Sequence, residues 1–158
     1  MTVEAVRRAG ADDAPVLATL ERDARAALVD ARGGAAALAE QPAQGDWTPA
    51  LADPDRRVFV ATIDDVVLGY LELAAPSIGD THGTWVVRQV YVDPGARGLG
   101  LGDDLLGAAI DAARAGGAAA IESWALPGDR DTKNLFERAG VTARKLVVSK
   151  RLGGPTSA

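Results

Sequence analysis

With 158 residues, 47% of them apolar and 25% charged, the chain has the size and composition of one globular domain with a buried core, not of a disordered segment. It contains no cysteine, which excludes disulfides, thiolate metal sites and a cysteine nucleophile, and its one histidine, His82, cannot build a multi-histidine metal centre. The net charge of −5 argues against non-specific nucleic-acid binding and suits a cationic substrate such as an amine.

Val3–Arg8 is expected as a short opening strand. Asp12 or Asp13 can cap the helix behind it, with Pro15 tolerated in the first turn. Val16, Leu17, Leu20, Ala24, Ala27 and Leu28 recur at helical spacing. Gly33 and Gly34 break that pattern, and Ala35–Glu40 adds a short second helix. Gln41–Asp55 holds three prolines, a glycine and Trp47, and reads as a long loop. Arg57–Ile63 and Val66–Ala74 are strands joined by a tight turn at Asp64-Asp65. Pro76–Gly83 is another turn region, and Thr84–Val92 a strong strand ending at Asp93-Pro94.

The next helix, from about Leu99 to Ala115, shows Leu101, Leu105, Leu106, Ala109, Ile110 and Ala113 on one face, and Gly116-Gly117 stops it. Ala118–Leu126 is expected as a strand, Asp131–Ala139 as a helix stopped by Gly140, and Val141–Leu152 as an extended final arm. Residues 1–152 form one domain and 153–158 a disordered tail. No apolar run approaches the ~20 residues of a membrane span, and the N-terminus lacks a signal-peptide core, so a cytoplasmic location is the default expectation.

The stretch Val90–Gly107, VYVDPGARGLGLGDDLLG, carries the chemistry. A strand runs into a glycine-rich turn with one arginine, then directly into an amphipathic helix. Gly98, Gly100 and Gly102 let backbone approach a ligand where a Cβ would collide. The helix start behind them offers unpaired N–H groups and a positive dipole end, a receptor for phosphate or pyrophosphate. A Walker loop is excluded, because Gly102 is followed by Asp103-Asp104 and not by lysine and a hydroxyl. A dinucleotide fingerprint needs glycines at the first, third and sixth places, and the sixth place is Asp103 or Leu105. Glu122 does lie at the distance of a ribose-binding acid, so a nucleotide-dependent oxidoreductase stays as an alternative.

Arg97-Gly98-Leu99-Gly100-Leu101-Gly102 resembles the Arg/Gln-x-x-Gly-x-Gly/Ala loop of the GNAT (GCN5-related) N-acetyltransferases. Val90-Tyr91-Val92-Asp93-Pro94 is similar to the family's preceding strand end, and Asn134–Val141 to its late LYEKLGF segment. The resemblance implies an α/β (α+β) fold: a mixed, mostly antiparallel sheet of six to seven strands, helices on both faces, and a splay between strands 4 and 5. It implies acetyl-CoA as cosubstrate, with pantetheine inserted in the splay and pyrophosphate on the loop. The implied contacts are Val90, Tyr91, Val92, Arg97, Gly98, Leu99, Gly100, Leu101, Gly102, Asp129, Asn134 and Phe136. No metal is expected. The implied activity is acetyl transfer to a primary amine of a small molecule or peptide by direct attack. Neither nucleic acid nor membrane is an expected partner, and a homodimer is compatible with the pattern.

Two catalytic positions depart from that pattern. The usual strand glutamate falls on Val86, and the usual late tyrosine on Phe136. Substitutes are Glu72, which strand alternation can bring to the cleft, and Ser123, which can donate to the leaving thiolate. Arg88 and Gln89 interrupt an otherwise apolar strand and can orient an acceptor carboxylate or face solvent. The missing pair also motivates another class of function, a weakly catalytic or non-catalytic CoA-binding sensor or assembly domain.

Overall fold

Two alternating segments and a two-residue turn build the centre of the sheet in the computed structural model, which describes residues 1–2 and 4–154. Strands β2 (Arg56–Ile63) and β3 (Val66–Ala74) pair antiparallel around Asp64 and Asp65, both at positive φ, as a two-residue hairpin turn requires. β1 (Glu4–Arg8) pairs with β2, and β4 (Thr84–Val92) with β3, both antiparallel. β5 (Ala120–Glu122) pairs parallel with β4 through three residues, Thr84 to Ala120, Trp85 to Ile121 and Val86 to Glu122. The spatial order is β1-β2-β3-β4-β5.

Alternation along the strands sends side chains to two cores. On one face Phe59, Leu71, Leu73, Trp85 and Val87 pack against Leu105, Leu106, Ala109 and Ala113 of α4 (Leu101–Ala115) and Leu135 and Phe136 of α5 (Arg130–Arg138). On the other, Val58, Val60 and Tyr70 pack against Leu17 and Leu20 of α1 (Ala14–Leu28), Trp47, and Ala50 of α3 (Thr48–Ala52). The expected second helix is present as α2 (Gly34–Glu40). A helix on each face of a mixed sheet is the architecture expected.

Several expectations need correction. Among the described residues the sheet has five strands, not six or seven. The apolar run 118–126 pairs only over Ala120–Glu122, and the arm over 141–152 pairs with no strand. Leu146, Val147, Val148 and Leu152 on that arm are 79–87% exposed. Apolar composition makes a segment strand-prone, but a strand needs a neighbour to satisfy its backbone. The long loop before β2 contains α3, and the helix expected from Leu99 begins at Leu101. Asp13 does not cap α1 forwards: its carboxylate turns back to the Gly10 N–H at 2.7 Å and accepts two bonds from Arg7 at 2.7 and 2.9 Å. Val3 of the expected first strand and residues 155–158 of the expected tail lie outside the described residues.

Candidate functional site

β4 outruns its neighbour. Its pairing with β5 ends at Val86, yet the strand continues to Val92, so the two part over its last six residues. The Ser123 hydroxyl closes the base of the gap by donating to the Val87 carbonyl at 2.8 Å. Beyond Val92 the chain makes a short turn held by Asp93, whose carboxylate accepts from Gly95 N–H at 2.8 Å. Arg97 folds back over the strand end, its Nε donating to Val92 O at 3.1 Å and its guanidinium 5.8 Å from the Tyr91 ring centroid. Gly98 and Gly100 follow at φ +83° and +87°, and a Cβ on either would meet no protein atom within 4 Å. Their open side and left-handed backbone make the loop a cradle, not a packing joint.

α4 starts behind that cradle. Its first intrahelical bond runs from Asp104 N–H to Gly100 O at 3.0 Å, so the earlier N–H groups are outside the helix ladder. Asp103, in the first turn, is drawn aside by Arg138, which donates to both its oxygens at 2.9 and 3.2 Å. That removes one carboxylate from competition with an anion at the helix start. Leu101 is buried in the core, Leu99 is half exposed, and a Cβ on Gly102 would make ordinary contact with Leu135. The gap, the open glycine turn and the free helix start follow one another along the chain, and each leaves backbone groups of the kind that an amide-bearing arm or a pyrophosphate can bond.

The opposite face of β3 and β4 is polar at its centre. Glu72 is 1% exposed. Its Oε1 accepts from Arg56 Nε at 2.7 Å and also from Arg56 Nη2. The other Nη2 bond of Arg56 goes to Gln44 Oε1 at 2.8 Å. A β-bulge sets Glu72 against Gln89 and Leu73 against Val87, leaving Arg88 as the extra residue. Arg88 Nε comes within 3.6 Å of Glu72 Oε1. Tyr70 donates its hydroxyl to Gln89 Oε1. Burial pushes the Tyr70 pKa up, and the charges of Glu21 and Glu72 add to it, so Tyr70 is a neutral donor. Burial also raises the Tyr91 pKa, opposed by Arg97.

A second buried carboxylate shapes the same side. Glu21, 2% exposed, accepts from Gln44 N–H at 2.7 Å, Gly45 N–H at 3.0 Å and Trp47 Nε1 at 3.2 Å. These bonds tie the segment between α2 and α3 to α1, and Trp47 is fully buried. Sequence reasoning passed over Glu21, Gln44, Arg56 and Tyr70. Glu21 left one signal: it lies four residues after Leu17 on the apolar stripe of α1, where a carboxylate needs partners. Arg56 left none, because its pairing with Glu72 depends on the register of β2 against β3.

The remaining sequence candidates are spread more widely. Asp129 caps α5, accepting from Thr132 N–H at 3.0 Å, and Asn134 is exposed on that helix. Phe136 is 6% exposed and belongs to the core beside Leu135. Val90 and Val92 sit on the α4 side of the sheet, part-buried against the same core. His82 is exposed in the turn before β4. Among the described residues no cluster of three metal-ligating side chains occurs, and no helix is long and apolar enough to cross a membrane.

Comparison with solved structures returns the same architecture. A putative acetyl transferase from Pyrococcus furiosus is 20% identical with a TM-score of 0.72, covering 95% of this chain and 100% of that one. The aminoglycoside N-acetyltransferase AAC(6')-Iy, in complex with the bisubstrate analogue CoA-S-monomethyl-acetylneamine, is 19% identical with a TM-score of 0.68, covering 94% and 99%. A transcriptional regulator from Bacillus halodurans C-125 is 18% identical with a TM-score of 0.69, covering 95% and 100%. No curated protein matches the chain. The sequence model of the acetyltransferase (GNAT) family matches residues 20–141, over β2 to β5, the glycine loop and α5, and the chain belongs to that family.

Proposed function

We propose that this chain transfers the acetyl group of acetyl-CoA to a primary amine of a small molecule or peptide by direct attack. The observation that carries this reading is the gap between β4 and β5 leading to the open turn at Gly98 and Gly100. In it the pantetheine arm lies along β4 between Val90 and Val92, and the pyrophosphate meets the N–H groups of residues 98–102, with Arg97 at the strand end and Asn134 and Asp129 at the rim. Acetyl-CoA supplies an activated thioester. The neutral amine nitrogen forms the C–N bond to the acetyl carbon, the C–S bond breaks, the nitrogen loses its proton and the CoA thiolate gains one. Holding the two reactants in line lowers the barrier by several kcal/mol, roughly the lower end of the gain open to proximity.

Glu72 and Ser123 are the groups we assign to proton handling. Both Arg56 bonds fall on Glu72 Oε1, which leaves Oε2 as the oxygen to take the amine proton, directly or through water. Ser123 stands at the base of the gap with its hydroxyl on Val87 O, and rotation of that hydroxyl would turn its proton to the thiolate. Phe136 closes the core beneath and keeps no proton to give.

A CoA-binding sensor or assembly domain is the second reading, favoured by Val86 and Phe136 at the two positions of the family's usual acid and base. The deciding experiment is release of CoA thiol from acetyl-CoA across an amine panel, with melting measured alongside. Acetyl-CoA at about 100 times Kd should stabilise the fold by roughly 2–3 kcal/mol. Stabilisation with no thiol release with any amine selects the sensor, and no stabilisation at millimolar acetyl-CoA removes both readings.

A further inference from the structure

We infer that Arg88 is an anion-binding residue for the acceptor, and that the acceptor amine carries a carboxylate close to the reacting nitrogen, as an amino acid does. The inference rests on the transferase reading above and names its substrate class.

Around Glu72 the cations outnumber the carboxylate, while Glu21 on the same side is bonded by neutral N–H groups. Two guanidinium groups, from Arg56 and Arg88, flank one buried carboxylate, Glu72. Arg56 takes that carboxylate with both Nε and Nη2 on the same oxygen. Arg88 is left at 3.6 Å, too far for a hydrogen bond, and its Nε is buried with no acceptor. That buried Nε faces Glu72 without bonding it, so an incoming anion meets the outer part of the Arg88 guanidinium and not Nε. Yet the Arg88 side chain as a whole is 42% exposed, so the rest of the guanidinium reaches the surface. Half its fork is held under the site, and the other half is presented to whatever enters.

Its place along the strand matters as much. Arg88 is the bulged residue of β4, and the bulge brings it to the Glu72 face of the sheet. It lies two residues past Val86, the last residue of β4 paired with β5, and one past the base of the gap that Ser123 closes on Val87. A carboxylate paired with Arg88 would hold an adjacent amine beside the base of the gap, near Ser123. Next along the same strand, Thr84 and Val86 line a surface cavity of about 430 Å³ with Asp80, His82 and Glu122, room for an amino-acid side chain. A planar guanidinium recognises carboxylate through paired N–H bonds that a neutral amide cannot match in charge.

The test uses the full chain with saturating acetyl-CoA and reads thiol release from the common amino acids against their primary amides. Each pair has the same shape, and the amide's amine is the less basic, so amine ionisation works against the acid. The expected result is at least one amino acid preferred over its amide by about tenfold or more in kcat/KM, carried by KM. In Arg88→Gln the preference collapses because KM for the acid rises while the amide is unchanged; Arg88→Lys keeps part of it. Binding of the N-acetyl amino acids and their amides to the CoA-loaded protein reads the same contrast without turnover. Melting of each variant checks that it folds. Amides used as well as acids, or a loss in Arg88→Gln shared equally by both and confined to kcat, would overturn the inference. The second result would place Arg88 on the reacting carbonyl instead. Absence of thiol release with every amine strikes the transferase reading itself, and the binding contrast still decides the role of Arg88.

Discussion

The glycine turn at residues 97–102 and the polar cluster on the far face of β3 and β4 are built by different means. The first works with backbone: open glycines, a helix start with N–H groups outside the ladder, and one acidic side chain pulled away by Arg138. The second works with buried and part-buried groups whose positions depend on each other, Glu72 on Arg56, Arg56 on the Gln44 side chain, and the Gln44 backbone on Glu21. A backbone cradle tolerates change in its flanking side chains. A chain of buried charges does not, since losing one partner leaves the next uncompensated. One half of the site therefore suits a constant ligand, and the other is where specificity can be built.

The sharpest way to break that contrast is Arg56→Met. It leaves Glu72 buried, with Arg88 as its nearest cation at 3.6 Å, and should cost about 3 kcal/mol in urea unfolding, the lower end for a broken buried pair. A loss under ~1 kcal/mol would show that Arg88 moves in and that the cluster adapts as freely as the loop.

Phe136→Tyr tests the boundary between the two halves. Resemblance alone points residue 136 at the CoA sulfur, where a phenol would speed turnover at no cost in stability. Its ring lies in the core instead, at 6% exposure beside Leu135. The expected outcome is a loss of roughly 1–3 kcal/mol from a hydroxyl without a partner. Unchanged stability with faster thiol release would move the ring back to the ligand track.

Gly100→Ala should lower the stability of the free protein by about 1–2 kcal/mol, the cost of φ +87° for an L side chain. The Cβ meets no protein atom, so any loss of acetyl-CoA affinity beyond that comes from the ligand's side of the loop. Calorimetry on the variant separates the two, and equal affinity for both proteins would deny close approach at residue 100.

The smallest effect lies far from both halves. Hydrogen bonds from Arg7 first, and then from the Gly10 N–H, hold Asp13 below the usual carboxylate pKa against the opposing effect of burial. A depressed carboxylate contributes stability above its unfolded pKa of about 3.9 and loses it as pH falls through the folded value. Asp13→Asn should therefore melt lower than the parent at pH 7, by at most about 1 kcal/mol, and the difference should close on acidification. A gap that persists at pH 2 would assign the effect to packing.

What the residues alone determined follows short range. The glycine turn, the Asp64-Asp65 hairpin and the spans Val66–Ala74 and Thr84–Val92 are legible because turn chemistry and alternation act between near neighbours in the chain. Asp129 stands out in the sequence only by resemblance, and its role as the cap of α5 follows from the fold, which sets its carboxylate on the Thr132 N–H. Only the tertiary structure decided which strands pair, because pairing is a contact between distant segments. It left the arm over 141–152 without a strand partner, ended the pairing of β5 at Glu122, and so opened the gap beside β4. It also decided that Glu72 meets Arg56, through the register of β2 on β3, and that the bulge leaves Arg88 beside that pair with a buried N–H unmatched. Buried charges take their meaning from partners far away in sequence, and those partners are chosen by packing.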